Sequence, residues 1–213
     1  MTWLLMNSGR QHPLRSHHEP ALDRSTPDVP TLSEIAHSLA HINRFTGHAR
    51  RAYSVAEHSL LVADMVQAAG LDAQVQICAL MHDAHESITG DVASPIKQVL
   101  GTAWAQFEDA QQHDLLDAYN LVADMACNAD LIKHFDLRAL ATERRDLLPF
   151  DAEVHAPWPI IDTPGAEIRP WHAVDLMAPS RVLVTPRTWA ERWTWRTALL
   201  MADARIEAQG AAA

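Results

Sequence analysis

The chain of 213 residues is acidic: 17 lysines and arginines face 27 aspartates and glutamates, which gives a formal net charge of −10 at pH 7. This balance argues against a nonspecific DNA- or RNA-binding protein, which usually carries a basic patch. A hydrophobic content of 48% and a charged content of 21% are ordinary for a globular protein with a sizeable core. A small phosphorylated substrate is still compatible with the acidic charge, because bound divalent cations can reverse the local field.

Neither a secretory signal nor a membrane span is indicated by the sequence. The N-terminus, MTWLLMNSGR, lacks the basic start and the long apolar run of a signal peptide. No uncharged apolar run reaches the roughly 18 residues that a membrane span needs. The two cysteines, Cys78 and Cys127, are expected to be reduced, buried thiols. These features predict a soluble, cytoplasmic protein whose partners are neither membranes nor nucleic-acid polymers.

The first predicted elements are an extended segment and two helices. Residues 1–30 contain four prolines and many polar residues, and we expect a short extended segment followed by a loop. VPTLSEIAHSLAHINRF predicts the first helix, because Thr31 and Glu34 have the spacing of a capping box. SVAEHSLLVADMVQAAG predicts the second helix, with Ser54 as its N-cap and Gly70 at its end.

Four more helices are predicted toward the centre of the chain. DAQVQICALMHDAHES predicts a third helix that is capped by Asp72, loses its periodicity near Ser87 and breaks at Gly90. SPIKQVLG predicts a short helix with Ser94 as its cap and the following proline at the first helical position. TAWAQFEDAQQHDLLDAY and DMACNADLIKHFDLRALATERRDLL predict two longer helices, the second stopped by Pro149.

The last third of the chain is predicted to hold an irregular segment and a closing helix. Seven of the twelve prolines lie between positions 149 and 186, so this segment is expected to pack irregularly on the helical body. TPRTWAERWTWRTALLMADARIEA predicts a helix capped by Thr185, whose Trp189, Trp193 and Leu200 face the core.

The pattern as a whole predicts an all-α fold. No alternating strand of convincing length and no internal repeat is visible. We predict one domain over residues 1–213, with a helical core over about 31–149 and the proline-rich segment and final helix over 150–208.

The stretch ALMHDAHESITGD, residues 79–91, gathers candidate metal ligands and acid–base groups. His82 and Asp83 are adjacent, so they can share one ion at the flank of a helix only if other helices complete its shell. Glu86 follows His82 by four positions, which places a carboxylate beside such an ion. A carboxylate there could orient or deprotonate a water molecule.

His58 and Asp136, each on a helix of its own, complete a candidate set of two imidazoles and two carboxylates. His58 lies in an apolar run and, taken alone, would be a hydrogen-bonded core histidine. Asp130 and His134 lie close to Asp136, and the helical register leaves them as alternatives. A mixed nitrogen and oxygen set suits Mn, Co, Fe, Ni or Zn better than Ca.

Three segments strongly resemble the HD-domain metal-dependent phosphohydrolases, and they follow one another in the right order over about residues 40–150. They are INRFTGHARRAYSVAEHSLLVA, ALMHDAHESITGDVASPIKQVL and FDLRALATERRDLLP. The run His-Asp-Ala-x-Glu-x-x-x-Gly-Asp is far more specific than a His-Asp pair alone. The likeness is greatest to the 5′-deoxynucleotidase-type members and to related phage and bacterial proteins.

The resemblance implies a metal centre with two acids beside it. The positions that match the family's metal ligands are His58, His82, Asp83 and Asp136. Glu86 matches the acid that acts on the nucleophilic water. Asp91 matches a second acid, near the substrate sugar and the leaving group. His85, between these groups, is interpreted either as a substrate contact or as an exposed helix residue.

The resemblance also implies substrate-binding residues. Arg44 and Phe45 match an Arg–Trp pair that holds the phosphate and packs against the deoxyribose, with phenylalanine in place of the tryptophan. Lys97 lies in the SPIK segment that follows the site. Arg50 and Arg51 are interpreted either as phosphate-binding residues or as a solvated charged face. Glu143 and Arg144 are expected to form a structural ion pair that fixes the last ligand helix.

The implied activity is hydrolysis of a deoxyribonucleoside 5′-monophosphate with one divalent transition metal. One alternative is a deoxynucleoside triphosphate triphosphohydrolase, in which Arg50 and Arg51 line the phosphate channel and an additional Mg²⁺ accompanies the polyphosphate. Another is a non-catalytic nucleotide-sensing module, which would need the metal but not Glu86. The resemblance gives a homodimer as the expected assembly.

Overall fold

The computed structural model of the protein describes residues 3–14 and 29–211, with side chains up to residue 205, and these residues are mainly helical. The all-α prediction is confirmed. The helices are α1 Leu32–His41, α2 Val55–Ala68, α3 Ala73–Met81, α4 Glu86–Thr89, α5 Ser94–Leu100, α6 Thr102–Ala118, α7 Val122–Leu147, α8 Pro159–Asp162, α9 Pro179–Val182 and α10 Pro186–Ala211. In the described ranges no helix combines the length and the apolar character that a bilayer crossing requires.

A short antiparallel hairpin precedes the helices, where the sequence predicted only an extended segment. Its strands are β1 Trp3–Leu5 and β2 Gln11–Pro13, with Leu4 opposite His12. The predicted loop within residues 1–30 falls largely on 15–28, which lie outside the described residues.

Glu34 joins this hairpin to α1. The Thr31 side chain accepts a hydrogen bond from the Glu34 N–H, and the Glu34 carboxylate accepts one from the Thr31 N–H at 2.8 Å, so the predicted capping box is confirmed. The same carboxylate accepts hydrogen bonds from Arg10 Nε at 3.0 Å and from the Ser8 hydroxyl. The Arg10 bond is the largest cause of a lowered pKa: although burial opposes it, the pKa of Glu34 falls to about 2.

Replacing Glu34 by glutamine is expected to lower the free energy of unfolding by about 2 kcal/mol at neutral pH. The pKa of Glu34 is about 2 in the folded chain and 4.5 ordinarily, so its stabilisation is complete above pH 4.5 and disappears as the pH falls toward 2. Urea unfolding of both proteins at a series of pH values measures the difference. A difference that stays constant down to the acidic end of the series would contradict the role given to Arg10 and Glu34.

The centre of the molecule is formed by α2 and α3, which are enclosed on nearly all sides. Eleven of the 14 residues of α2 and eight of the nine residues of α3 are buried. A single apolar stripe would not explain this, and the enclosure comes from α1, α7 and α10, which pack around the pair. The predicted burial of Trp189, Trp193 and Leu200 on α10 is confirmed.

Two predicted helix boundaries are wrong. α3 ends at Met81, well before Ser87, because the chain continues in turns closed by three-residue hydrogen bonds. One of these runs from the Glu86 N–H to the Asp83 carbonyl at 3.0 Å. α5 begins at Ser94 itself, with Ala93 in the cap position.

The proline-rich segment packs on the C-terminal half of α7. Both Nη atoms of Arg144 bind the Asp162 carboxylate, at 2.5 and 2.6 Å, and the guanidinium lies over the Phe150 ring, 4.3 Å from its centre. The Leu176 N–H donates to Asp146 Oδ2 at 3.0 Å. Within this segment the regular structure is limited to the single-turn helices α8 and α9, as the prolines predicted.

The two cysteines differ in exposure. Both are free thiols, but Cys78 is buried and Cys127 is exposed, so the prediction of two buried thiols is wrong for Cys127. Burial raises the pKa of the Cys78 thiol to about 12. Cys127 lies in the first turns of α7, where the residues around it are exposed or half-buried.

Candidate metal centre

Two buried imidazoles present their Nε2 atoms to one point. His58, on α2, has its Nδ1 2.5 Å from Glu143 Oε1, and His82, just after α3, has its Nδ1 2.7 Å from the Ala79 carbonyl oxygen. When each Nδ1–H donates to these acceptors, each Nε2 keeps the lone pair that a metal ligand needs. The two Nε2 atoms lie 3.3 Å apart.

Two carboxylates meet these nitrogens. Asp83 Oδ2 lies 3.2 Å from His82 Nε2 and 3.4 Å from His58 Nε2. Asp136 Oδ1 reaches His58 Nε2 from α7, also at 3.4 Å. Atoms bound at about 2.1 Å to one ion stand roughly 3 to 3.4 Å apart, and the donor atoms of His58, His82 and Asp83 have this spacing, whereas Asp136 contacts the group through His58.

The adjacent residues His82 and Asp83 lie in the turns that follow α3. Beyond Met81, hydrogen bonds between residues three positions apart replace the α-helical bonding, and Asp83 Oδ2 lies 3.2 Å from His82 Nε2. Gln112 Nε2 donates to the His82 carbonyl at 3.1 Å, which fixes this turn against α6.

Asp136 is the residue of α7 whose carboxylate contacts the Nε2 atom of His58. Its other oxygen, Oδ2, accepts a hydrogen bond from Lys133 Nζ at 2.8 Å. The two alternatives raised by the helical register, Asp130 and His134, are exposed. Their exposure argues against a place in the buried cluster.

The cluster attracts positive charge. Burial would raise the pKa of Asp83, but the two imidazoles and Arg44 hold it well below its ordinary value. Burial and Arg44 lower the pKa of His58, yet the carboxylates of Glu143 and Asp136 outweigh them and raise it to about 9. A divalent cation must therefore displace a proton when it binds these donors.

Comparison with known proteins identifies the family. Residues 36–136 match the HD domain family. This range contains the imidazoles of His58 and His82 and the carboxylates of Asp83 and Asp136. The uncharacterized Escherichia coli protein YfdR is 34% identical over 140 residues, which are 66% of this chain and 72% of YfdR. This chain belongs to the HD-domain family. An uncharacterized protein of Rhodobacter capsulatus is 37% identical over 111 residues, which are 50% of this chain and 53% of that protein.

Membership confirms the predicted family and sets the general chemistry. HD-domain proteins are generally metal-dependent hydrolases that bind divalent metals, and this HD domain has side-chain clusters that could hold such an ion. In one of them, the donor atoms of His58, His82 and Asp83 all lie within 4.8 Å of one another.

Two acids of this HD domain stand beside the cluster with raised pKa values. Burial, followed by the charges of Asp83 and Asp91, raises the pKa of Glu86 well above its ordinary value. Its Oε2 is buried and has no hydrogen-bond partner among the described residues. Burial also raises the pKa of Asp91, against the opposing charge of Arg44. A buried carboxylate with a raised pKa is suited to proton transfer near neutral pH.

Arg44 enters the site from a strained loop. Its Nη1 lies 3.5 Å from Asp83 Oδ2 and its Nη2 3.2 Å from Glu143 Oε2, while the buried Nε has no partner in the described chain. The next two residues, Phe45 and Thr46, have φ values of 58° and 52°, which non-glycine residues rarely adopt. Such strain concentrates at functional sites. The Phe45 ring lies 5.6 Å from the Arg44 guanidinium.

The Arg51 guanidinium makes structural contacts and is not available to bind a substrate. Its guanidinium binds Glu57 through two hydrogen bonds of 2.7 and 2.8 Å and the Leu176 carbonyl oxygen at 2.7 Å, and both charged side chains are buried. These bonds tie the proline-rich segment to α2. Arg50, by contrast, is exposed, and its backbone N–H donates to the Leu147 carbonyl at 2.8 Å.

Replacing Arg51 by methionine is therefore expected to lower the free energy of unfolding by about 2 to 4 kcal/mol, because the buried Glu57 carboxylate loses its two hydrogen bonds from Arg51. Arg181, whose Nη1 lies 3.0 Å from Glu57 Oε1, limits the loss. Chemical denaturation measures the effect, and Arg50→Met is the matched control, with an expected change within about 0.5 kcal/mol. Equal stability of the two variants would contradict a structural role for Arg51.

Glu143 is the site residue that the sequence placed wrongly. Arg144 pairs with Asp162, so the predicted Glu143–Arg144 ion pair is wrong. Neighbouring residues of a helix point about 100° apart, and Glu143 faces His58 and Arg44. The signal that could have found it is its seven-residue spacing from Asp136, which puts both carboxylates on one face of α7.

Lys97 and His85 come from two different parts of the chain, and both contact Glu108. Lys97 Nζ, on α5, binds Glu108 Oε1 of α6 at 2.7 Å, and His85 Nε2 lies 3.6 Å from the same oxygen. Burial lowers the pKa of Lys97, but Glu108, Glu86 and Asp83 outweigh it and raise the pKa. His85 is buried, so its interpretation as an exposed residue is wrong.

Proposed function

We propose that this HD domain is a metal-dependent nucleotide phosphohydrolase, and specifically a 5′-deoxynucleotidase that releases phosphate from deoxyribonucleoside 5′-monophosphates. The observation that carries the proposal is the buried Oε2 of Glu86, which has no hydrogen-bond partner among the described residues and lies beside four candidate metal ligands. A sensor would need the ligands alone, whereas a hydrolase also needs a group that handles the proton of water.

The ion would be held by two imidazoles and two carboxylates, namely His58, His82, Asp83 and Asp136. Their mixed nitrogen and oxygen donors suit Co, Mn, Zn, Ni or Fe, and the observed contacts of 3.2 to 3.4 Å fit the fairly short bonds of these ions. When bound, such an ion supplies Lewis-acid polarisation of a phosphoryl oxygen and lowers the pKa of water.

The chain's own residues supply the remaining chemistry. Glu86 orients the attacking water and takes its proton, for which its raised pKa is suited. Arg44 offers its Nε–H, which has no partner in the described part of the chain, to a phosphate oxygen and balances charge as the phosphoryl group transfers. Lys97 adds a second positive charge. Asp91, whose pKa is also raised, protonates the leaving oxygen or holds a sugar hydroxyl, and Phe45 packs against the sugar.

The charge distribution favours a monophosphate over a triphosphate. Arg44 and Lys97 flank the centre, and each is already paired with a carboxylate. Arg50 and Arg51 were the cations expected to line a polyphosphate channel, and the Arg51 guanidinium is bound to Glu57 and Leu176, which leaves Arg50 alone of the pair. A triphosphate substrate would need charge from elsewhere, such as an additional Mg²⁺.

Product identification tests this proposal. The purified protein, loaded separately with Co²⁺, Mn²⁺, Zn²⁺, Ni²⁺ or Fe²⁺, is offered deoxyribonucleoside and ribonucleoside mono-, di- and triphosphates, and the products are separated by chromatography. We expect nucleoside and inorganic phosphate from deoxyribonucleoside monophosphates. Tripolyphosphate as the product would support the triphosphohydrolase instead, and no hydrolysis of any nucleotide by metal-loaded protein would support the nucleotide-sensing module.

A further inference from the structure

A second group of potential metal ligands includes Glu86 itself. One donor atom from each of His85, Glu86 and Glu108 lies within 4.8 Å of the other two. His85 and Glu86 are at least nine-tenths buried, and His85 Nδ1 and Glu86 Oε2 have no hydrogen-bond partner among the described residues. We name these three side chains the outer cage.

The outer cage has the composition of a cation site. It offers one imidazole and two carboxylates, a donor set that binds first-row transition metals. Two carboxylates so close together repel each other and cost free energy unless a positive charge lies beside them.

A positive charge is already present. Lys97 Nζ lies 2.7 Å from Glu108 Oε1, and Lys97 extends from α5 toward a cage whose members come from α4, α6 and the turn before α4. We infer that the Lys97 ammonium takes the place of a second metal ion at the outer cage, so that the centre binds a single ion and Glu108 positions Lys97 beside it.

The exchange of a metal ion for an ammonium group has a chemical consequence. A lysine supplies a single fixed charge with three N–H donors, which binds a phosphate oxygen without needing a dissociable ion. This consequence rests on the proposed function, whereas the occupancy of the outer cage does not. Glu108 acts through Lys97 and is a positioning residue.

Metal stoichiometry tests the inference without any substrate. Equilibrium dialysis against Co²⁺, followed by elemental analysis, is carried out on the wild-type chain and on the variants Lys97→Met, Lys97→Met with Glu108→Gln, and Lys133→Met. Lys133 is the matched control, because its ammonium contacts Asp136 at 2.8 Å and is remote in sequence from the outer cage. Thermal unfolding verifies that each variant is folded.

We expect one Co²⁺ per wild-type chain and one per Lys133→Met chain. Lys97→Met should bind two, because the vacated cage accepts a second ion, and the double variant should return to one. Two ions on the wild-type chain, or one on Lys97→Met, would overturn the inference. One ion on a wild-type chain that hydrolyses no nucleotide would contradict the proposed function, and the metal content of the Lys97 variants would then decide the inference. A wild-type chain without any ion would contradict both.

Discussion

Replacing Glu86 by glutamine is expected to reduce kcat by about 10²- to 10⁴-fold, the range that positioned acid–base groups contribute. Glutamine keeps the size of the side chain and its capacity to hydrogen-bond water, but it cannot accept the proton. Glu86 Oε2 is buried and unpartnered among the described residues, so no neighbouring group of the described chain already occupies it. Steady-state kinetics on the best nucleotide from the product screen measures the effect.

The same variant separates catalysis from metal binding. The contacts among the four proposed ligands do not involve Glu86, so Glu86→Gln should retain one tightly bound ion. The matched control is Glu191→Gln, a change at an exposed glutamate on α10 that pairs with Arg187, and its kcat should equal that of the wild type. Unchanged turnover in Glu86→Gln would remove the acid–base role and favour a different group for the proton transfer.

Replacing Glu143 by glutamine is expected to weaken metal affinity by about 10- to 100-fold, as is typical when a carboxylate behind a metal-binding histidine is lost. The Glu143 carboxylate lies 2.5 Å from His58 Nδ1 and is fully buried. Its charge fixes which ring nitrogen carries the proton and strengthens the basicity of Nε2. Glutamine can accept the same hydrogen bond, but it contributes no charge.

Competition between the protein and a fluorescent chelator for Zn²⁺ measures this affinity at fixed pH. Arg144→Lys is a useful comparison, because the adjacent residue contacts Asp162 and not the imidazole, and its metal affinity should be close to that of the wild type. If Glu143→Gln binds Zn²⁺ as tightly as the wild-type chain, the carboxylate behind His58 has no part in the metal centre.

Local signals in the sequence predicted much of this fold correctly. Helix caps are one example, because they involve residues only three positions apart and can be predicted without tertiary contacts. The capping box of Thr31 and Glu34 and the caps formed by Ser54 and Asp72 are all present. The structure also brings together the four side chains that the family resemblance implied, with Asp136 and not His134 in contact with His58.

Tertiary contacts account for what the sequence did not predict. Arg51 was interpreted either as a phosphate-binding residue or as part of a solvated charged face, yet the distant Leu176 carbonyl and the buried Glu57 hold its guanidinium inside the fold. Glu143 has a cation beside it in sequence, but helix geometry turns it toward His58 instead. The early end of α3 could not be predicted, because no glycine or proline follows Met81 until Gly90 and the residues between them are all compatible with a helix.

We propose that four side chains from three parts of the chain bind one divalent ion. Anomalous diffraction at the cobalt absorption edge, from crystals of the Co²⁺-loaded protein, tests it most directly. We predict one peak per chain within about 2.0 to 2.3 Å of His58 Nε2, His82 Nε2, Asp83 Oδ2 and Asp136 Oδ1. A peak at another place, or one that fewer than three of these four atoms contact, would contradict the account.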